Sequence, residues 1–75
     1  MKLYYEVYGE LEFIEDFENQ EAAMQEITQF WASHGYKVPY FRVMYYQDYC
    51  WIDFGSHVQF YRLYKEGKQP HEERC

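Results

Sequence analysis

The sequence predicts an α+β fold in which one helix packs on one face of a small antiparallel sheet, with elements in the order β-β-α-β-β-β. Five short runs alternate apolar and polar residues, one longer stretch repeats at helical spacing, and Gly-containing turn signals separate several of them. A length of 75 residues suits a single domain. We expect that domain to span residues 1–64, followed by a flexible tail of mostly polar and charged residues over 65–75.

The first two strands are predicted to form a hairpin. Residues 2–8 alternate, with Leu3, Tyr5 and Val7 on one side, and most of them favour strands. Gly9-Glu10 follows as the expected tight turn, and residues 10–14 then alternate again around Leu11 and Phe13. The alternation predicts a short second strand paired with the first.

A single helix is predicted over about residues 20–34. Asn19 can cap its N-terminus, and Gly35 is placed to end it as a left-handed residue. One helix face carries the side chains that recur at i, i+4, i+7, i+8 and i+11, which are Ala23, Ile27, Phe30, Trp31 and His34. We expect that face to pack on the sheet.

Three further strand-like runs follow the helix, over residues 40–46, 50–54 and 58–64. Turn signals at Gln47-Asp48-Tyr49 and at Gly55-Ser56-His57 separate them. Aromatic residues occur on both sides of nearly every strand. Since one helix covers one face only, we expect the other face to expose a Tyr-rich surface.

Composition excludes several classes of protein. A chain that is 48% hydrophobic and 24% aromatic can bury enough surface to fold, which disfavours intrinsic disorder. We find no apolar run for a signal peptide or a membrane span, and only Cys50 and Cys75 are available for disulfides. The expectation is a soluble protein of a reducing cytoplasm.

The net charge of −6 is unevenly distributed. Residues 1–36 carry eight acidic side chains and one lysine, for −7, whereas residues 37–75 carry five acidic and six basic side chains, for +1. Seven of the acids are predicted to share one edge of the molecule: Glu10, Glu12, Glu15, Asp16, Glu18, Glu21 and Glu26. This acidic edge either solubilises the protein or binds a partner with a basic groove.

The aromatic residues allow two further interpretations. Interfaces are enriched in Tyr, Trp, Met and Arg, so the uncovered face is a candidate surface for a homodimer or another partner. The residues expected in that contact are Tyr4, Tyr8, Tyr40, Tyr46, Trp51 and Tyr61. Alternatively, Tyr40, Arg42, Met44, Tyr46, Arg62 and Tyr64 could stack and bind single-stranded nucleic acid, although the acidic first half would repel phosphates.

No enzymatic, metal or cofactor site is predicted. Histidine and cysteine lack the spacing of a zinc site, and the nearest approach to it, His71 and Cys75, lies in the expected tail. Cys50 is expected to be buried. Asp53, Ser56 and His57 are close in sequence, but we expect a hairpin connection there, with Gly55 at positive φ and Ser or His binding local backbone groups.

In composition, including the acidic run from Glu10 to Glu18, the chain resembles small proteins that bacteriophages encode to disable host machinery, several of which mimic DNA. The resemblance implies a host-cytoplasmic inhibitor that occupies a DNA-binding surface or channel, with a replication sliding clamp as the slightly preferred target. Its acids would replace phosphates and its aromatics would anchor it. Eight carboxylates equal about 14 Å of duplex, and a dimer would double that length.

Overall fold

A computed structural model describes residues 1–68 and contains one helix and five strands in the order β-β-α-β-β-β, which confirms the predicted fold class. Residues 69–75, including His71, Cys75 and most of the predicted tail, lie outside the described part of the chain. The elements are β1 (Lys2–Val7), β2 (Glu10–Asp16), α1 (Gln20–Ser33), β3 (Arg42–Tyr45), β4 (Tyr49–Asp53) and β5 (Gln59–Tyr64).

All neighbouring strands are antiparallel, in the order β2-β1-β5-β4-β3. The last strand in sequence, β5, is therefore the central one, and it joins the first hairpin to the β3–β4 pair. The two edge strands are β2, which carries much of the acidic run, and β3, which has only four residues.

The first hairpin turns one residue earlier than predicted. Val7 pairs with Glu10, so the two turn residues are Tyr8 and Gly9, with φ of 52° and 80°. A two-residue turn with positive φ at both positions is of type I′, whose twist matches that of the flanking strands. Gly adopts this conformation readily, whereas Tyr8 adopts it at a cost in backbone strain.

Both predicted helix caps are present. The Asn19 side chain accepts a hydrogen bond of 2.9 Å from the amide of Ala22. At the other end Gly35 has φ of 82°, and the amides of Gly35 and Tyr36 donate to the carbonyls of Ala32 and Trp31, the pattern of a Schellman motif. No helix in residues 1–68 combines the length and the apolar character needed to cross a membrane.

The core lies between α1 and the middle of the sheet. Ala23 and Ile27 of the helix are buried against side chains from β1, β4 and β5, namely Leu3, Cys50, Ile52, Tyr61 and Leu63, and against Phe54 after β4. Trp31 packs beside this cluster, but Phe30 and His34 do not belong to it. The prediction that they complete the core face is wrong, because both side chains are exposed and their rings contact each other, with centres 4.5 Å apart.

The residues between β4 and β5 form the predicted connection. Asp53 accepts a hydrogen bond from the amide of Gly55, whose φ is 101°, and Ser56 Oγ accepts from the amides of Val58 and Gln59. These short-range bonds give the backbone amides of the connection acceptors close by in the sequence. The expectation that Gly55 and Ser56 have structural roles here is confirmed.

Candidate functional site

An irregularity in β2 aligns three acidic side chains. Along β1, Val7, Tyr5 and Leu3 pair in turn with Glu10, Glu12 and Glu15, and the register shifts so that Ile14 has no partner. Such a β-bulge inserts one extra residue and reverses the alternation beyond it. Glu15 consequently joins Glu10 and Glu12 on the helix side of the sheet, where strict alternation would have separated them. We call these three residues the acidic row.

The acidic row is solvent-exposed, and none of its carboxylates has an ion-pair partner within residues 1–68. Glu12 of this row pairs with Tyr5, whose ring lies 5.4 Å from that of Tyr61. Burial, together with the charge of Glu12, raises the pKa of Tyr5. Burial also raises the pKa of Tyr61 to about 12, against a hydrogen bond from Trp31 that lowers it, and Glu26 of α1 adds to the rise.

The other predicted acids are dispersed. Asp16 belongs to the opposite face of the sheet, where hydrogen bonds from Lys2 and from the Met1 amino group lower its pKa. Glu18 lies in the connection before α1, and Glu21 lines an open cleft of about 740 Å³ between α1 and Phe41. Of the seven acids predicted to share one edge, the structure thus aligns only the three of the acidic row. The bulge moves Asp16 to the other face of the sheet, and Glu18, Glu21 and Glu26 lie outside β2.

The face of the sheet that α1 leaves uncovered, here called the open face, is predominantly aromatic. Strand pairing places one row of side chains across all five strands: Phe13, Tyr4, Arg62, Trp51 and Met44. Flanking positions are occupied by Lys2, Glu6, Leu11, Asp16, Arg42, Tyr49, Asp53, Phe60 and Tyr64. The prediction of an aromatic surface opposite the helix agrees with this arrangement.

Arg62 lies at the centre of the open face and is held by three neighbours. Its Nε donates to Glu6 Oε1 at 2.8 Å, one terminal nitrogen donates to the Tyr64 hydroxyl at 3.3 Å, and its guanidinium lies 4.8 Å from the centre of the Tyr49 ring. Burial by itself would lower the pKa of Arg62, but the hydrogen bonds to Tyr64 and Glu6 outweigh it and the pKa is raised. The central positive charge is thus already neutralised within the chain.

Stacked rings cover much of the open face. Trp51 stacks on Phe60 at 4.4 Å, and Tyr49 stacks on Tyr64 at 4.8 Å. Tyr4 contacts Tyr64 edge-on at 5.5 Å. Because these rings contact one another, most of them are only partly exposed. The most exposed large apolar side chains on this side are Phe13, Met44 and Tyr46, which are 44 to 51% exposed.

The six aromatic residues predicted for an interface are divided among several places. Tyr4 and Trp51 lie on the open face, and Tyr46 follows β3 and contacts Tyr49 of that face. Tyr8 is at the hairpin tip and Tyr40 is in the loop before β3, both exposed. Tyr61 is instead 4% exposed on the helix side, where its hydroxyl accepts a hydrogen bond from Trp31, so it is removed from the expected interface.

The cysteine and the possible metal ligands of the described residues can be placed in the fold. Cys50 is buried as predicted, and burial raises the pKa of its thiol. Residues 1–68 contain no group of three or more His, Cys, Asp or Glu side chains that could hold a metal ion. Comparison with protein-family models, curated proteins and solved structures finds no match to this chain.

Proposed function

We propose that this chain is a non-enzymatic binding protein whose acidic row occupies the basic, DNA-binding surface of a partner protein. The observation that supports this function is the β-bulge at Ile14, which brings Glu10, Glu12 and Glu15 onto one side of an edge strand. No Lys or Arg side chain within residues 1–68 neutralises them. Unpaired carboxylates in a row present a negative potential that a basic groove complements.

The spacing of the acidic row is compatible with imitation of a DNA strand. Its ends are opposite Val7 and Leu3, four residues apart on β1, which corresponds to about 13 Å at the rise of a strand. One strand of duplex DNA carries about four phosphates over that distance along the axis. Three carboxylates therefore approach the charge density of a single strand.

The partner expected from this surface is a protein that surrounds or grips DNA with Lys and Arg side chains. By the resemblance to small phage inhibitors, a bacterial sliding clamp is the preferred target. Binding would be competitive with duplex DNA and would weaken as salt rises, because attraction between exposed charges is screened.

A charge-reversal pair tests the proposal. Glu10→Lys, Glu12→Lys and Glu15→Lys together remove the acidic row, whereas Glu18→Lys, Glu21→Lys and Glu66→Lys change the net charge equally at exposed positions outside it. Binding to purified sliding clamp and to a panel of other basic DNA-binding proteins is measured by titration calorimetry, with duplex DNA as competitor. We expect the first variant to lose binding and the second to retain most of it.

Two results would contradict the proposal. Equal loss of binding in both variants would mean that the net charge alone attracts the partner and that the acidic row does not form the contact surface. Binding that duplex DNA does not displace would mean that the chain contacts its partner elsewhere.

Direct binding of single-stranded nucleic acid by the Tyr/Arg face is the weaker alternative. Arg62 is already engaged by Glu6, and Tyr64, which stacks on Tyr49, is only 4% exposed. A gel-shift experiment at low salt separates the two functions, since binding of DNA or RNA that fades steeply with salt would favour this alternative over mimicry.

A further inference from the structure

The open face is a broad aromatic surface that α1 does not cover, and its charge differs from that of the rest of the molecule. It carries three basic side chains, Lys2, Arg42 and Arg62, and three acidic ones, Glu6, Asp16 and Asp53. We propose that a second copy of this chain covers the open face, forming a twofold, face-to-face dimer centred on β5.

The charge of the open face favours another copy of the chain as its occupant. The remaining residues of 1–68 carry eight acidic and three basic side chains, so the whole excess negative charge of this region lies off the open face. Two copies that approach through their acidic rows bring like charges together, whereas the open face carries as many basic as acidic side chains. The balanced open face is the surface on which self-association meets the least repulsion.

Most charged groups of the open face already have hydrogen-bond or ion-pair partners within the chain. Arg62 has Glu6 and the Tyr64 hydroxyl as partners, and Lys2 Nζ lies 3.1 Å from Asp16. Asp53 accepts a hydrogen bond from the Gly55 amide. Because most of these groups already have partners within the chain, a covering copy need not supply them, and the usual penalty for burying unpaired charge is reduced.

The area is sufficient for a stable dimer. The described chain measures 38 × 27 × 19 Å, and the short dimension matches one sheet and one helix layer. A slab of these proportions has about 23% of its surface on each broad side, which for 5447 Å² of accessible surface is about 1,200 Å², whereas a standard interface needs about 800 Å² per partner. Phe13, Trp51 and Met44 supply the residue types that interface cores favour.

The symmetry follows from the strand order. Because β5 is the middle strand of five, a twofold axis that runs midway between the two sheets, above β5, places the whole open face of one copy on that of the other, with the sheets about 10 Å apart. The acidic row lies on the helix side and remains outside this contact. A dimer therefore displays two acidic rows, and its existence does not depend on the proposed function.

Sedimentation equilibrium over a range of concentrations tests the dimer. The matched variants place a carboxylate either on the open face or on the helix. Met44→Glu and Phe13→Glu each place a carboxylate on the open face, and Phe30→Glu places one on α1 at a side chain with the same 44% exposure as Met44. We expect a wild-type mass of twice 9.4 kDa. Each open-face variant should raise the dimer dissociation constant by at least about tenfold, while Phe30→Glu should leave it within about twofold.

Circular dichroism of each variant confirms that it is folded, and Phe13, on an edge strand, provides a second test if Met44→Glu unfolds. A wild-type mass of 9.4 kDa at millimolar concentration would overturn the dimer. So would a dimer that Phe30→Glu weakens as much as the open-face variants do. Single-stranded nucleic acid that binds the monomer and is lost in Met44→Glu would assign the open face to that ligand instead.

Discussion

Gly55 allows a quantitative test of how the loop between β4 and β5 packs. A Cβ atom added there would lie 2.9 Å from Pro39 Cγ and 2.9 Å from the Tyr36 hydroxyl, on a backbone with φ of 101°. Gly55→Ala therefore combines two costs, one for a left-handed backbone and one for overpacking. The first is about 1 to 2 kcal/mol and the second about 1 to 3 kcal/mol.

Together these costs amount to about 2 to 5 kcal/mol, a large part of the roughly 4 to 11 kcal/mol expected for a domain of this size. At about 4 to 8 °C per kcal/mol, the melting temperature should fall by at least about 8 °C. The matched control is Gly35→Ala, because Gly35 has φ of 82° with no heavy atom within 4 Å of the added Cβ. It should show the backbone cost alone.

Thermal and urea unfolding, followed by circular dichroism, measure both variants. Pro39→Ala in the Gly55→Ala background removes the contacts at 2.9 and 3.1 Å and should restore part of the lost stability. If Gly55→Ala destabilises no more than Gly35→Ala, the loop relaxes freely and the packing of Pro39 and Tyr36 on Gly55 is not rigid. The reasoning would then be refuted.

Three further predictions concern the turn, the helix cap and a buried tyrosine. Tyr8→Asn should stabilise the fold by about 0.5 to 1 kcal/mol in urea unfolding, because Asn adopts positive φ before Gly9 more readily than Tyr does; a loss of stability would contradict this. Asn19→Ala should cost about 1 kcal/mol by removing the bond to the Ala22 amide, whereas Asn19→Ser should cost much less. Since burial raises the pKa of Tyr61 to about 12 above its ordinary 10, its contribution to stability should be complete below pH 10 and lost as pH rises through 12. Tyr61→Phe should flatten that decline.

Features set by short-range chemistry could be predicted from the sequence. Asn19 and Gly35 bound the helix because a side-chain cap and a left-handed residue act within one turn. The Gly55–Ser56 connection was predictable for the same reason. The first turn was displaced by one residue because a type I′ turn requires positive φ at Tyr8, a residue that seldom adopts it.

Features that depend on distant pairing could not be predicted. Nothing local in residues 59–64 indicates that β5 lies between β1 and β4, since that order arises from contacts across the whole chain. The bulge at Ile14 is equally hidden, although it decides which acids form the acidic row. Helical spacing placed Phe30 and His34 towards the core because it does not show how far the sheet extends beneath the helix.

The open face extends across all five strands, so its composition also depends on pairing between residues that are distant in the sequence. Phe13 and Met44 are 31 residues apart in the chain, yet strand pairing places them at opposite ends of one row. Sequence alternation predicted that such a surface exists. It did not predict that Arg62 would be held at its centre by Glu6.

The β-bulge at Ile14 also has a consequence for the behaviour of the protein at high concentration. Unpaired strand edges are templates for fibre growth, and a chain that is 24% aromatic is at particular risk. Here one edge is kinked at Ile14 and bordered by glutamates, and the other, β3, is four residues long. Neither edge offers a long, flat and uncharged strand. The sheet should therefore resist the addition of further strands at its edges, and we expect the protein not to form amyloid.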